Sequence, residues 1–308
     1  MARRDLLTDA ERQILFGVPF AREDLARHYM LGPRDLALVA ARRGDANRLG
    51  FAVQLALLHH PGFGLTLEAG APDHLVAFMA GQISVSVSAF DTYAARPATA
   101  SVHAREAEAA LGLRSPANAD LPLLIEAGAQ AAWSTDRGVP IVLGITDALR
   151  AACVTLPATS VIERAGLAGR ARARQRTYYA LLVTLPADRL VKLEALIVVD
   201  AQTGVTPLAW LRDIVTAPTP DNVRGLLDRL ARVRDIGLPL ASASAVHPDR
   251  LRQLIREGRA SSAQFIGRYI PSRRRARLRS TIIAKEQLGE PNAERIAALP
   301  LCAFDEIL

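Results

Sequence analysis

The segment Arg42-Arg43-Gly44-Asp45-Ala46-Asn47-Arg48, continuing through Leu49-Gly50-Phe51-Ala52-Val53-Gln54-Leu55, concentrates guanidinium and carboxamide groups in a short span. A guanidinium is a planar fork that binds two acceptors at once, on a phosphate or a guanine edge. A carboxamide both donates and accepts, which suits the edge of adenine. These groups serve a duplex only if a helix holds them on one side and buries the other. Leu49, Ala52, Val53, Ala56 and Leu57 recur at i, i+3, i+4, i+7 and i+8 and define such a buried face. Asn47, Gly50 and Gln54 fall on a different stripe. Asp45 is the expected N-cap after Gly44, and the helix is expected to reach His59 or His60.

Two more stretches carry the same chemistry. Arg164, Arg170, Arg172, Arg174 and Arg176 lead into Tyr178 and Tyr179, with no acidic residue from Arg164 to Ala187. On a helix, Arg170 and Arg174 share one face and Arg172 and Arg176 another. The third stretch runs from Arg268 to Arg279, includes Arg273, Arg274, Arg275 and Arg277, and is also free of carboxylates. Each arginine that neutralises a phosphate releases about one counterion, so binding through these clusters falls steeply with salt. Phosphate contacts position a protein, whereas base-edge contacts choose a sequence. The expected DNA-contacting set is therefore Arg42, Arg43, Asn47, Arg48, Gln54, Arg164, Arg170, Arg172, Arg174, Arg176, Arg273, Arg274, Arg275 and Arg277, with Asn47 and Gln54 reading bases. The formal net charge is +7, and every basic residue except Lys192 and Lys285 is arginine. GC-rich coding alone also writes arginine for lysine, so the clustering is the stronger signal.

Other chemistries find little support. Cys153 and Cys302 cannot form a disulfide framework, fit a reducing compartment, and are expected as small core residues. His59 and His60 are adjacent, so on a helix they point about a third of a turn apart and make poor joint metal ligands. Neither a phosphate-binding glycine loop nor a Gly-x-Ser-x-Gly elbow is present. No catalytic residue, metal or cofactor is expected. The N-terminus lacks the apolar core of a signal peptide, and Val139 to Val154 is interrupted by Asp147 and Arg150. A cytoplasmic protein without a membrane segment is the expectation.

Half of the residues are apolar and 5% aromatic, and the apolar content is mainly Ala, Leu and Val. That balance predicts an all-α chain, and the length of 308 residues predicts several domains. Short helices with three- or four-residue joints are the grammar of helix-turn-helix-like modules, expected here in tandem. Thr8 and Glu11 form a capping box for a first helix; Arg22 to Met30 and Pro33 to about Arg42 give the next two. Arg96-Pro97 reads as a loop before a helix over Val102 to Leu111, and an apolar helix is expected to contain Trp133. Ser160 and Glu163 read as a second capping box. Helices are further expected over Asn222 to Asp235, ended by Gly237 and Pro239, and over Asp249 to Glu257 after Pro248. Ser84-Val85-Ser86-Val87-Ser88 alternates like a strand but stands among helical patterns. The expected division is 1–68, 69–204 and 205–308.

Arg43-Gly44-Asp45 through Leu57 resembles the N-terminal signature of the replicative Tn-three family transposases. Leu156-Pro157-Ala158-Thr159-Ser160-Val161-Ile162-Glu163, continuing to Leu185-Pro186, is similar to a second DNA-binding segment of that family, with Ala158 where glycine is usual. Arg229 to Leu238, and Pro248 on to Arg275, resembles the helical region that follows. The resemblance implies a helical fold that recognises terminal inverted repeats of a transposon as double-stranded DNA. It also implies helix for Ser84 to Ser88. In the family, strand cleavage belongs to a ribonuclease-H-like domain near the far C-terminus, where a carboxylate triad holds two divalent metals. The match ends before that triad, and Ala303 to Leu308 looks interrupted, so a truncated, non-catalytic part is expected. The alternative is a helical interaction module that self-associates or captures a full-length transposase.

Overall fold

A computed structural model describes residues 5–65, 70–213, 219–238 and 245–297, with side chains except at 94 and 285–297. The expectations for Cys302, Ala303 to Leu308 and Pro239 fall outside the described residues. The described residues are all-α, with no strand; two isolated bridges join Phe63 to Leu156 and Arg114 to Val154. The chain separates into two compact units that part within one helix, between Ala171 and Arg172, with Trp133–Thr135 belonging to the second.

In the first unit the helices are α1 (Asp9–Phe16), α2 (Arg22–Tyr29), α3 (Pro33–Ala40), α4 (Asp45–His59), α5 (Asp73–Ile83), α6 (Ala89–Ala94) and α7 (Pro97–Leu111). A 3-10 turn at Asn118–Asp120, α8 (Leu121–Ala131), α9 (Gly138–Ala151) and the first part of α10 (Thr159–Leu182) complete it. Local signals set many ends. The Thr8 hydroxyl accepts from the Glu11 N–H at 3.2 Å, and Glu11 Oε2 accepts from the Thr8 N–H at 2.8 Å. Pro33 occupies the first turn of α3, where its missing N–H costs nothing.

α4 is the centre of this unit. α2, α3, α5, α6 and α7 all pack on it. Every residue from Leu49 to Leu58 is buried, the supposed outer stripe of Gly50 and Gln54 included. The reason is visible in the chain: Phe51, Leu55 and Leu58 fill the other side, and a helix apolar all round belongs in a core. Burying each such large side chain contributes about 1.5–3 kcal/mol relative to leaving it exposed. The cap is Gly44, at φ 81°, and Asp45 is the first helical residue.

The second unit continues α10 and adds α11 (Ala187–Ala195), α12 (Pro207–Arg212), α13 (Pro220–Ile236), α14 (Pro248–Ala260), α15 (Ala263–Gly267) and α16 (Pro271–Ala297). α16 packs on α11, α13, α14 and α15. Leu193, Leu196, Leu208, Val233, Ile236, Leu278 and Ile282 share one core. Neither expected division, at 68/69 or 204/205, falls at the unit boundary: α4 shares its core with α5 to α7, and α11 shares its core with α13 and α16.

Several local expectations change. Ser84 to Ser88 is neither strand nor helix: Ser84 ends α5 at φ 55° and the chain turns into α6. Arg96-Pro97 is not a loop, because Pro97 opens α7. Trp133 lies in the turn after α8 rather than within it. Ser160 is inside α10 and caps nothing there, and Glu163 instead accepts from Arg12 of α1 at 2.8 Å. Cys153 is exposed at φ 53°, not a core residue.

Candidate nucleic-acid interface

The turn before α4 is held by its own polar groups. Asn47 Nδ2 donates to the Arg43 carbonyl at 2.9 Å, and Arg48 Nε donates to the Arg42 carbonyl at 3.1 Å. Arg42 pairs with Glu106 of α7 at 2.6 Å and lies over the Phe51 ring, 4.1 Å from its centre. Gly44 supplies the left-handed φ that no side-chain-bearing residue takes cheaply. With Arg42 turned inward and Asn47 bound to the turn, Arg43 is exposed, and among the described residues nothing engages its guanidinium. Arg48 is also exposed; beyond its bond to the Arg42 carbonyl, its nearest carboxylate is Asp45 at 4.0 Å.

Gln54 does not reach solvent. Only 1% of it is exposed, and its Nε2 donates to the Tyr93 hydroxyl at 2.6 Å and the Ala100 carbonyl at 2.8 Å. Burial pushes the Tyr93 phenol up to about 12, so the ring stays neutral in this pocket. His103, stacked on Tyr93, is held below its ordinary value by burial and by nearby Arg42. The expectation that Gln54 reads bases fails here because α6 and α7 cover its side of α4. Asn47 is half-buried and committed to the turn.

α10 carries the second arginine run past the unit boundary. Arg164 is exposed, with Nε bonded to the Ser160 carbonyl one turn back at 3.2 Å. Arg170 is partly buried and donates to the Asp136 carbonyl at 3.3 Å. Arg172 and Arg176 are exposed, Arg174 is half-buried, and Ala173 and Thr177 face inward. Arg170 and Arg174 thus lie on a partly covered side of α10, and Arg172 and Arg176 on an exposed one.

The third run folds largely inward. Arg274 and Arg275 both pair with Glu194 of α11, at 2.7 and 2.8 Å. Arg277, 4% exposed, pairs with Glu257 of α14 and donates to the Tyr269 hydroxyl at 3.0 Å. Arg273 and Arg277 both lie over the Tyr269 ring, at 4.0 and 4.5 Å. Tyr178 of α10 is raised by burial, an effect that Arg273, Arg174 and Arg277 moderate, so parts of the second and third runs meet around it. The partners Glu106, Glu194 and Glu257 were missed by sequence reasoning. Glu194 lies 80 residues from Arg274, and no local pattern links them. No group of three or more His, Cys, Asp or Glu among the described residues forms a metal site, and no helix among them is long and apolar enough to cross a membrane.

Residues 6–168 match the family model described as Domain of unknown function (DUF4158). The chain belongs to that family. The transposase for transposon Tn501 of Pseudomonas aeruginosa is 35% identical over 286 residues, covering 92% of this chain and 29% of that protein. The transposase for transposon Tn3926 of Escherichia coli is 32% identical, covering 90% and 28%. That for transposon Tn1546 of Enterococcus faecium is 30% identical, covering 83% and 26%. The family resemblance read from Arg43 to Leu57 is thereby borne out, and the chain spans less than a third of the length of these transposases.

Proposed function

We propose that this chain is a DNA-binding part of a transposase that recognises the terminal inverted repeats of a transposon and does no strand chemistry itself. The observation that carries the reading is the outward set of guanidiniums on an acid-free stretch of α10. Arg164, Arg172 and Arg176 are exposed, and no carboxylate lies between residues 164 and 187. Arg43 and Arg48, on the turn before α4, supply a further exposed pair in the first unit, the unit that also holds Arg164. These five side chains hold phosphates in this reading; Arg42, Asn47, Gln54, Arg274, Arg275 and Arg277 shape the surfaces that present them. Two phosphate-holding modules on one chain raise each other's effective concentration on a long repeat.

The test is binding of the purified chain to the inverted repeats flanking its gene and to scrambled duplex, over about 50 to 200 mM salt. A steep salt slope with tighter binding to the repeat is expected. Equal affinity for both duplexes refutes repeat recognition, and binding without a salt slope refutes the phosphate role.

A further inference from the structure

The carboxylate-free run that opens α16 suggests that α16 is the basic surface of the second unit, yet its arginines turn toward α11 and α14. The outward charge of this unit lies elsewhere. On α14, Arg250, Leu254 and Gly258 are buried, and Arg252, Arg256 and Arg259 are exposed at i, i+4 and i+7. That stripe is fixed by close packing behind it. A Cβ on Gly258 would lie 2.3 Å from Thr281 Oγ1 of α16, so α14 cannot roll about its axis without a clash. Asp249 is the one exposed carboxylate of α14, and it answers Arg252 at 2.5 Å. Among the described residues no hydrogen bond or ion pair engages the guanidinium of Arg256 or Arg259. Two serines beyond the helix, α15 begins, and Arg268 at its end is exposed and likewise unengaged.

α13, in the same unit, shows what a merely solvated face looks like. Its exposed charges alternate in sign, with Asp221 beside Arg224 and Arg232 beside Asp235, at 3.8 and 3.5 Å. α14 departs from that pattern: after Asp249 in its first turn, its exposed charges are Arg252, Arg256 and Arg259 alone. From residue 252 to 259 the helix rises about 10 Å, or about three phosphate steps of one strand at roughly 3.4 Å each.

We infer that the outer face of α14, through Arg252, Arg256 and Arg259, is a sequence-independent contact to the phosphates of a duplex. This rests on the DNA-binding reading above and adds a contact surface on an element to which that reading gave no role. Because Asp249 pairs with Arg252 and is felt more weakly by Arg256, Arg256 and Arg259, which no ion pair among the described residues engages, carry most of the contact.

The experiment measures affinity of the full chain for a mixed-sequence duplex as a function of salt. The variants are R252Q/R256Q/R259Q, its lysine counterpart R252K/R256K/R259K, and R224Q/R232Q/R234Q on α13, which removes the same formal charge. Circular dichroism confirms that each remains folded, since all the substituted side chains are exposed. The α14 glutamine variant should lose about 2 to 3 units of salt slope and the lysine variant should keep it. The α13 variant should lose less than one unit. An α14 slope equal to wild type, or a loss matched by the α13 variant, overturns the inference and leaves DNA binding itself standing. A lysine variant that falls as far as the glutamine one overturns the phosphate assignment. Failure of the wild-type chain to bind any duplex overturns the underlying reading as well.

Discussion

Gly50 is the position at which the structural role of the Arg43–Leu57 segment is most sharply exposed to test. A Cβ placed there would lie 2.2–2.3 Å from three atoms of the Tyr93 ring. The ring cannot withdraw freely, because Tyr93 is fully buried and its hydroxyl accepts from Gln54. Three effects compete in Gly50→Ala. Helix propensity favours alanine by about 1 kcal/mol. Overpacking costs about 1–3 kcal/mol. Displacing Tyr93 and leaving buried polar atoms unsatisfied costs about 1–3 kcal/mol more. The net is a loss of about 1–5 kcal/mol, and at its midpoint near 3 kcal/mol amide exchange within α4 is about 150 times faster. Hydrogen–deuterium exchange by mass spectrometry reads this directly. Gly81→Ala in α5 is the control, since Gly81 is exposed and an added Cβ meets nothing within 4 Å. It should leave α5 equally or better protected, by up to about 1 kcal/mol. If Gly50→Ala protects α4 as Gly81→Ala protects α5, the packing argument is wrong.

Gln54→Leu should destabilise the chain by about 1–3 kcal/mol in urea, because the Ala100 carbonyl loses its donor, while the sequences selected from randomised duplexes stay the same. Arg43→Ala should leave the melting temperature unchanged and lower the salt slope of DNA binding by about 0.9, whereas Asn47→Ala should cost about 1 kcal/mol of stability by freeing the Arg43 carbonyl. Glu194→Gln removes the shared partner of Arg274 and Arg275; with all three side chains partly exposed, a loss of about 1–2 kcal/mol is expected in denaturant titration. Asp120 is held down to about 2, chiefly by its bonds from Arg114 and also by the Ala117 N–H. Its folded value is depressed, so its stabilisation is complete above the ordinary aspartate value and is lost as pH falls toward 2. The melting-temperature gap between wild type and Asp120→Asn should therefore be widest near neutral pH and close in acid.

Much of the helical framework was legible because its signals are local. The Thr8–Glu11 box, Pro33, Pro248 and the left-handed Gly237 mark helix ends with groups a few residues apart. What was not legible depended on distance or on the number of neighbours. The pattern of α4 fits a one-sided helix, but five helices surround it, and only the run of apolar residues on both stripes hints at that. Ser84 to Ser88 resisted because a single left-handed residue, not an alternation, decides its path. Glu163 fits a capping box with Ser160, its neighbour in sequence, yet its partner Arg12 lies 151 residues away.

The arginine runs show why charge in sequence and field in space are separate quantities. α16 packs on four elements, so part of its circumference must be buried. With arginine at 273, 274, 275, 277 and 279, every way of burying it buries guanidiniums. Arginine tolerates this better than lysine would, since its flat fork binds several acceptors and lies over aromatic rings. Arg277 does both, through Glu257, the Tyr269 hydroxyl and the Tyr269 ring. The carboxylates that answer Arg274, Arg275 and Arg277 sit on α11 and α14, 80, 81 and 20 residues away, so an acid-free stretch is partly compensated in space. On α14 the reverse holds. Glu257 belongs to a sequence of mixed sign but turns inward to Arg277, and the helix is left with arginines outside. Folding therefore gives α14 an outer row of arginines that a count of charges along the chain does not reveal.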